Sequence, residues 1–206
     1  MLSLHTAATP NGKKVPILLA ELALPYELHL IDFAKKEQKS PAFLALNPNG
    51  KIPALVDTDS GERLVLFESG AILLHLAERA GQFIPKTPSG RAEVLSWLFW
   101  QVGGPGPMFG QAAAFGREKP RNEAAYAKFI EESKRLAGVL DERLKGREWI
   151  AAESYSIADI ACYPWFEGAA KLEPSIVEDV PAVTAWMDRL ARRPAVQTGL
   201  RLGKEE

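Results

Sequence analysis

Cysteine is almost absent from this 206-residue chain: Cys162 is its single thiol. An internal disulfide and a C-x-x-C redox pair are therefore excluded. Any thiol–disulfide chemistry must draw its sulfurs mainly from substrates. Histidine is nearly as scarce. His5, His29 and His75 are far apart and show no metal-ligand spacing, so no metal site is expected. An excess of charge of one sign is also missing. The formal net charge is −1 and no long basic run occurs, which argues against nucleic acid as the main partner. No apolar run approaches the ~18 residues of a membrane span. The opening MLSLHTAATPNGKK lacks the basic-then-apolar pattern of a signal peptide, so a cytoplasmic protein without membrane attachment is expected. Internal repeats and low-complexity tracts are absent too.

What is present is ordinary for a globular protein: 47% hydrophobic and 25% charged residues, in a length that allows one large domain or two modest ones. Met1 to His5 is a candidate strand. Thr6 to Gly12 is polar, with Pro10 and Gly12 as breakers. From Lys13 to Leu24 the apolar residues Val15, Leu18, Leu19 and Leu22 share a helical face. Pro16 is placed in that helix's first turn, where a missing N–H is tolerated. Tyr26 to Ile31 reads as a second strand, parallel to the first across a right-handed crossover. Ser40 is a candidate N-cap for a short helix, PAFLALN. Two apolar runs, Ala54–Val56 and Leu64–Phe67, flank the turn residues DTDSG as a hairpin. A strongly periodic helix follows from Glu68-Ser69-Gly70 to Ala80. Residues 81–89 contain one glycine and two prolines and read as a linker. Beyond them the pattern is helical: Gly90 to Val102, Asn122 to Leu144, Ser156 to Ala170 and Pro181 to Arg192. The terminal GKEE is expected to fray.

The stretch from Asn47 to Ala80 carries the chemistry. A proline at Pro53 is the ordinary place for a cis peptide, and the residue before it is held extended. Ile52 can therefore offer its N–H and C=O sideways to an extended peptide ligand. Glu68 and Ser69 stand at a helix start, where a carboxylate is favoured. Ser69 can donate to that carboxylate and Glu68 can accept from an ammonium, so the pair suits a zwitterionic amino-acid head group. A plain turn proline and a plain helix cap remain open for each taken singly.

KIPALVD followed by LFESGAILLHLAE resembles the thioredoxin-like domain of the glutathione transferase superfamily. The resemblance spans the chain. It implies an α/β thioredoxin-like domain at 1–80, a linker at 81–89 and an all-helical domain at 90–206. It also implies a homodimer. TPNGKK, WLFWQVGGPGPMFGQ and YSIADIACYPW are similar to the bacterial nu class, whose members act as glutathione-dependent disulfide-bond reductases. The implied ligands are glutathione or oxidised glutathione and a small disulfide. In that class a threonine and an asparagine of the first loop contact the glutathione sulfur, matching Thr9 and Asn11. This fits the chain's own chemistry. A thiol is reactive as thiolate, and no Tyr, Ser or Cys lies between Leu4 and Pro25 to stabilise one. Asn11 is placed just before the first helix, where its amide and the helix's N–H groups can face a sulfur.

By the same resemblance, Gln38 contacts the glutathione backbone, Ile52 with Pro53 bonds the cysteinyl part, and Glu68 with Ser69 holds the γ-glutamyl end. Lys51 has two readings, a partner for the glycine carboxylate and a solvated lysine. Lys35, Lys36 and Lys39 make that corner basic. Four glycines and two prolines between Gln101 and Gln111 must interrupt a helix. In the family this segment helps wall the second-substrate side, with Phe109 and Phe115 as candidates. Pro105 departs from the family pattern, and the Tyr126 region lacks a clearly placed basic residue. Ser156 and Asp159 form a variant capping box that supports folding, and Cys162 reads as a buried structural thiol. Two rival functions stay open: a conventional transferase or peroxidase, and a non-catalytic regulatory protein on the same fold.

Overall fold

Four short strands form one mixed sheet in the order β2-β1-β3-β4: β1 (Leu2–Thr6), β2 (Tyr26–Leu30), β3 (Ala54–Asp57) and β4 (Leu64–Phe67). The computed structural model describes residues 1–59 and 61–203. Strand β1 pairs parallel with β2 and antiparallel with β3, and β3 pairs antiparallel with β4. The β1–β2 crossover is helix α1 (Pro10–Glu21). A short α2 (Pro41–Leu44) precedes β3, and α3 (Ser69–Ala80) follows β4. This is the thioredoxin-like order the sequence predicts. Alternation drives it: Leu2, Leu4 and Leu55 share one face of the sheet and are at most 1% exposed, and Ile17 and Leu18 of α1 and Ile72, Leu73 and Leu76 of α3 are equally enclosed.

The chain divides into two compact units. The first is Met1–Gln82 together with the segment from Arg193 onward, and the second is residues 83–192. Helix α9 (Pro194–Leu200) thus joins the sheet, although the sequence groups it with the other helices. It packs on α1. Arg193 makes a paired bond to Glu21 (2.7 and 2.9 Å), and a Cβ on Gly199 would come within 2.4 Å of Ile17 Cγ1. In the same unit, the inaccessible Asp57 accepts from Arg79 (2.6 Å) and lies 2.8 Å from His75 Nε2. Burial pushes its carboxyl up, but the bonds from His75 and Arg79 outweigh that and hold it below the usual range. His75 is thereby a structural partner tying α3 to β3. His5 and His29 stack at 4.4 Å, and the described residues contain no cluster of three metal-ligating side chains.

The second unit consists of α4 (Pro88–Gly103), α5 (Pro105–Arg117), α6 (Glu123–Leu144), α7 (Ile157–Leu172) and α8 (Pro181–Ala191). The interruption predicted near Gln101–Gln111 falls at Gly104 (φ −113°, ψ −90°), and Pro105 opens α5. Proline is harmless there, because the first N–H of a helix has no intrahelical partner. Phe109 is 4% exposed and packs edge-on against Phe166, so it is a core side chain rather than a cleft wall. Phe115 stacks on Phe129. Tyr126 donates to Glu173 (2.6 Å) beneath the Arg121 guanidinium.

Ser156 and Asp159 form the expected reciprocal cap at the start of α7. Asp159 does more than cap: besides Ser156, it accepts from Ile150 N–H (3.1 Å) and Trp186 Nε1–H (2.9 Å) in the centre of this core. Complete burial pushes its carboxyl up to about 6 despite those donors. Cys162 is buried in α7, and no described helix is long and apolar enough to cross a membrane. The predicted DTDSG turn includes Ser60, and the GKEE end includes residues 204–206. These positions lie outside the described residues.

Candidate functional site

The strand register brings the candidate loops to one end of the sheet. His5 pairs with Ala54, and Ala54 pairs with Phe67. The loop leaving β1, the loop entering β3 and the turn leaving β4 therefore emerge side by side. Thr6 pairs with Leu30, so the chain leaving β2 toward Gln38 starts from the same end. Thr9, Asn11, Ile52, Pro53, Glu68 and Ser69 all lie within a few residues of that edge.

The first loop is fixed by a chain of hydrogen bonds. Helix α1 begins at Pro10, three residues before the predicted start, with Thr9 as N-cap accepting from Gly12 N–H (3.2 Å). Two expectations change. Asn11 sits inside the first turn, not before the helix. Pro16 is an interior residue, not a first-turn one. An interior proline deprives the carbonyl four residues earlier of its donor. Here that carbonyl is Gly12 O, and the buried Thr6 hydroxyl donates to it instead (3.1 Å). Thr9 N–H donates to Ala7 O (2.7 Å) and Lys13 N–H to Thr9 O (3.0 Å). Pro10 has no N–H to offer, and those of Gly12 and Lys13 are engaged. The side chains of Thr9 and Asn11 beside them are half-buried. The Thr9 hydroxyl can still donate while capping, because capping uses a lone pair and leaves its proton.

The loop entering β3 is tied by Asn47, 2% exposed, whose Nδ2 donates to Lys51 O (2.6 Å) and whose Oδ1 accepts from Asn49 N–H (3.0 Å). The Ile52–Pro53 peptide is cis, with Pro53 buried and Ile52 half-buried. Ile52 precedes the paired residues of β3, whose register begins at Ala54. The Lys51 side chain is exposed. Gln38 lies in a single 3-10 turn (Glu37–Lys39), and its Oε1 is buried with no hydrogen-bond partner among the described residues. A buried unpaired acceptor is costly and marks a place where a donor is wanted.

At the third loop, Glu68 is exposed and takes φ 69°, ψ 117° as the residue before α3, a left-handed-side conformation uncommon for a residue with a Cβ. Its side chain makes no capping bond. Strain of this kind gathers at ligand clamps. Ser69 is 6% exposed, and its Oγ accepts from Lys14 Nζ at 3.2 Å. The arrangement presents an exposed carboxylate beside a hydroxyl at a helix N-terminus, where negative charge is favoured.

The sequence offers Thr6 and Lys14 only as polar groups of the first loop, and Asn47 only as the start of the chemistry-bearing stretch; the structure gives each a definite partner. Asn47 had a signal in the turn-rich NPNG. Lys14 had one too, since it stands three and four residues before Ile17 and Leu18, on the buried stripe of α1.

Comparison with known proteins follows the same outline. Residues 2–78 match the family described as Glutathione S-transferase, N-terminal domain, and residues 106–194 match Glutathione S-transferase, C-terminal domain. The chain is 45% identical over 204 residues to the disulfide-bond oxidoreductase YfcG of Escherichia coli K12, covering 97% of this chain and 94% of that protein. A glutathione transferase from Burkholderia graminis, solved with two glutathione molecules per subunit, superposes with a TM-score of 0.93 at 45% identity, covering 100% of this chain and 89% of that one. One from Pseudomonas putida, solved with one glutathione disulfide per subunit, gives 0.90 at 42% identity, covering 98% and 91%. With both family domains matched in order and near-complete coverage of these relatives, the chain belongs to the glutathione transferase superfamily.

Proposed function

We propose that this protein is a glutathione-dependent disulfide-bond reductase, acting as a cytoplasmic homodimer whose glutathione-binding domain is residues 1–80. The observation that carries the reading is the convergence of Thr9–Asn11, Ile52–Pro53 and Glu68–Ser69 at one end of the sheet, in a unit that contains no thiol of its own. The names and bound ligands of its relatives support the same reading.

In this mechanism Glu68 and Ser69 hold the γ-glutamyl end of glutathione, Ile52 pairs with its cysteinyl backbone, and Gln38 Oε1 accepts from a peptide N–H. Lys51 serves the glycine carboxylate. Thr9 and Asn11 donate to the sulfur and favour its thiolate. The thiolate attacks one sulfur of a small disulfide, forming a mixed disulfide and expelling the other half as thiolate, which takes up a proton. A second glutathione, deprotonated in turn, attacks the glutathione sulfur of the mixed disulfide. Oxidised glutathione and a second substrate thiol leave. Two glutathiones lose two electrons and the disulfide gains them, so no further reductant is required. The protein contributes orientation and thiolate stabilisation.

The test is glutathione-dependent reduction of 2-hydroxyethyl disulfide, with an aryl halide and a hydroperoxide assayed in parallel. Disulfide turnover well above the other two is expected. Asn11→Ala should lower kcat about a hundredfold, the lower end of what loss of one charge-stabilising donor costs, while glutathione affinity changes far less. Faster conjugation than disulfide reduction, or equal loss of turnover and binding in Asn11→Ala, would overturn the assignment.

A further inference from the structure

The head-group end of the site contains a lysine that nothing above has used. Lys14 is 1% exposed, and after Trp186 it is the largest fully enclosed side chain among the described residues. It leaves the apolar stripe of α1 and reaches the first residue of α3, where its Nζ donates to Ser69 Oγ at 3.2 Å. Enclosing such a group is expensive. A methionine would fill similar space without that desolvation cost.

We propose that Lys14 is a positioning residue: it sets Ser69 as an outward hydrogen-bond donor and makes this end of the site select a free α-carboxylate on the γ-glutamyl ligand. The proposal rests on the glutathione reading above. The chemistry follows from donor counting. A lysine ammonium has three donors and no acceptor, so in its bond to Ser69 the serine oxygen must accept. The single serine proton is then directed elsewhere, and what it meets must be an acceptor. The positive end of the twelve-residue α3 favours an anion at the same place. Lys14 adds charge of the same sign from behind. Glu68, exposed and one residue earlier, supplies the opposite preference for the neighbouring ammonium. Without Lys14 the Ser69 hydroxyl can rotate and accept, and the distinction between a carboxylate and a neutral amide is lost.

The experiment is titration calorimetry with two ligands that differ only at this group: S-methylglutathione, and its analogue carrying a carboxamide in place of the γ-glutamyl α-carboxylate. The wild type should prefer the carboxylate by about tenfold or more, the size expected for a hydrogen bond to a charged group. In Lys14→Met that preference should collapse to within about threefold, with affinity for the amide nearly unchanged. Lys14→Gln keeps a donor but no charge and should fall between the two. A purely structural lysine would weaken both ligands equally and leave the ratio intact, which would overturn the proposal. Where Lys14→Met does not yield folded protein by circular dichroism, Lys14→Gln and the wild-type ratio decide. A wild type that binds both ligands equally overturns the proposal alone. One that binds neither at millimolar concentration overturns the glutathione reading beneath it.

Discussion

Substituting Gly12 by alanine should damage both the fold and the chemistry of the first loop, and the structure says by how much. A Cβ built on Gly12 would lie 1.9 Å from Ala7 O and 2.7 Å from Thr6 Oγ1. The nearer contact is to backbone, so relief requires the chain to move by about 1 Å or more. That movement breaks the Thr9 N–H to Ala7 O bond (2.7 Å) and the Thr6 hydroxyl bond to Gly12 O (3.1 Å). Each is worth about 1 kcal/mol net. Residual overpacking adds about 1–3 kcal/mol, and the better helix propensity of alanine returns about 1 kcal/mol. The expected loss is about 2–4 kcal/mol in urea denaturation. Because Thr9 and Asn11 lie just before this glycine, misplacing them by about 1 Å should also lower disulfide turnover about a hundredfold. Gly138→Ala is the control. It lies exposed in the interior of α6 with nothing within 4 Å of its would-be Cβ, so it should gain up to about 1 kcal/mol with activity unchanged. If Gly12→Ala were as stable and active as the wild type, the close-approach explanation would be wrong.

Two further outcomes test the packing. Asp159 has a folded-state pKa of about 6, raised above 3.8 by burial. The stability linked to its protonated form is complete below about pH 4 and is lost as pH rises through 6, by about 3 kcal/mol. Asp159→Asn lacks this dependence. The gap between wild type and variant in urea denaturation should therefore be wider at pH 4 than at pH 7, and a gap that stayed constant or widened upward would refute the assignment. Gly199→Ala would drive a Cβ to 2.4 Å from Ile17 Cγ1 and 2.7 Å from Ile17 N. It should cost about 1–3 kcal/mol and speed amide exchange across 194–200, and unchanged exchange there would show that α9 does not dock as described.

Much of the fold was legible because its signals are local. Ser40 and Asn122 cap the helices that follow them, accepting from Phe43 N–H and Ala125 N–H. The two strands of the hairpin were found within a residue of their ends. Two late helix starts have a common cause. Six helices, α1, α2, α4, α5, α8 and α9, carry proline at the first or second position. Taking Pro10 and Pro88 as breakers started α1 three residues late and α4 two late. The signal was the Thr-Pro pair, N-cap then first helical residue, at Thr9–Pro10 and Thr87–Pro88.

The sequence by itself determined the order of elements, the caps and the chemical types on the functional loops, since periodicity, turn residues and capping side chains act within a few positions of one another. Only the tertiary structure decided which distant groups complete them. Helix α8 has Val180 at its N-cap and no local capping side chain; Asp141 of α6 accepts from Ala182 and Val183 N–H instead. Gly12 O loses its helical donor to Pro16 and gains Thr6 from the sheet. Lys14 is buried on α1 and meets Ser69 at the start of α3 across 55 residues of chain. Such pairings are set by strand register and helix docking, and those depend on the whole core closing at once.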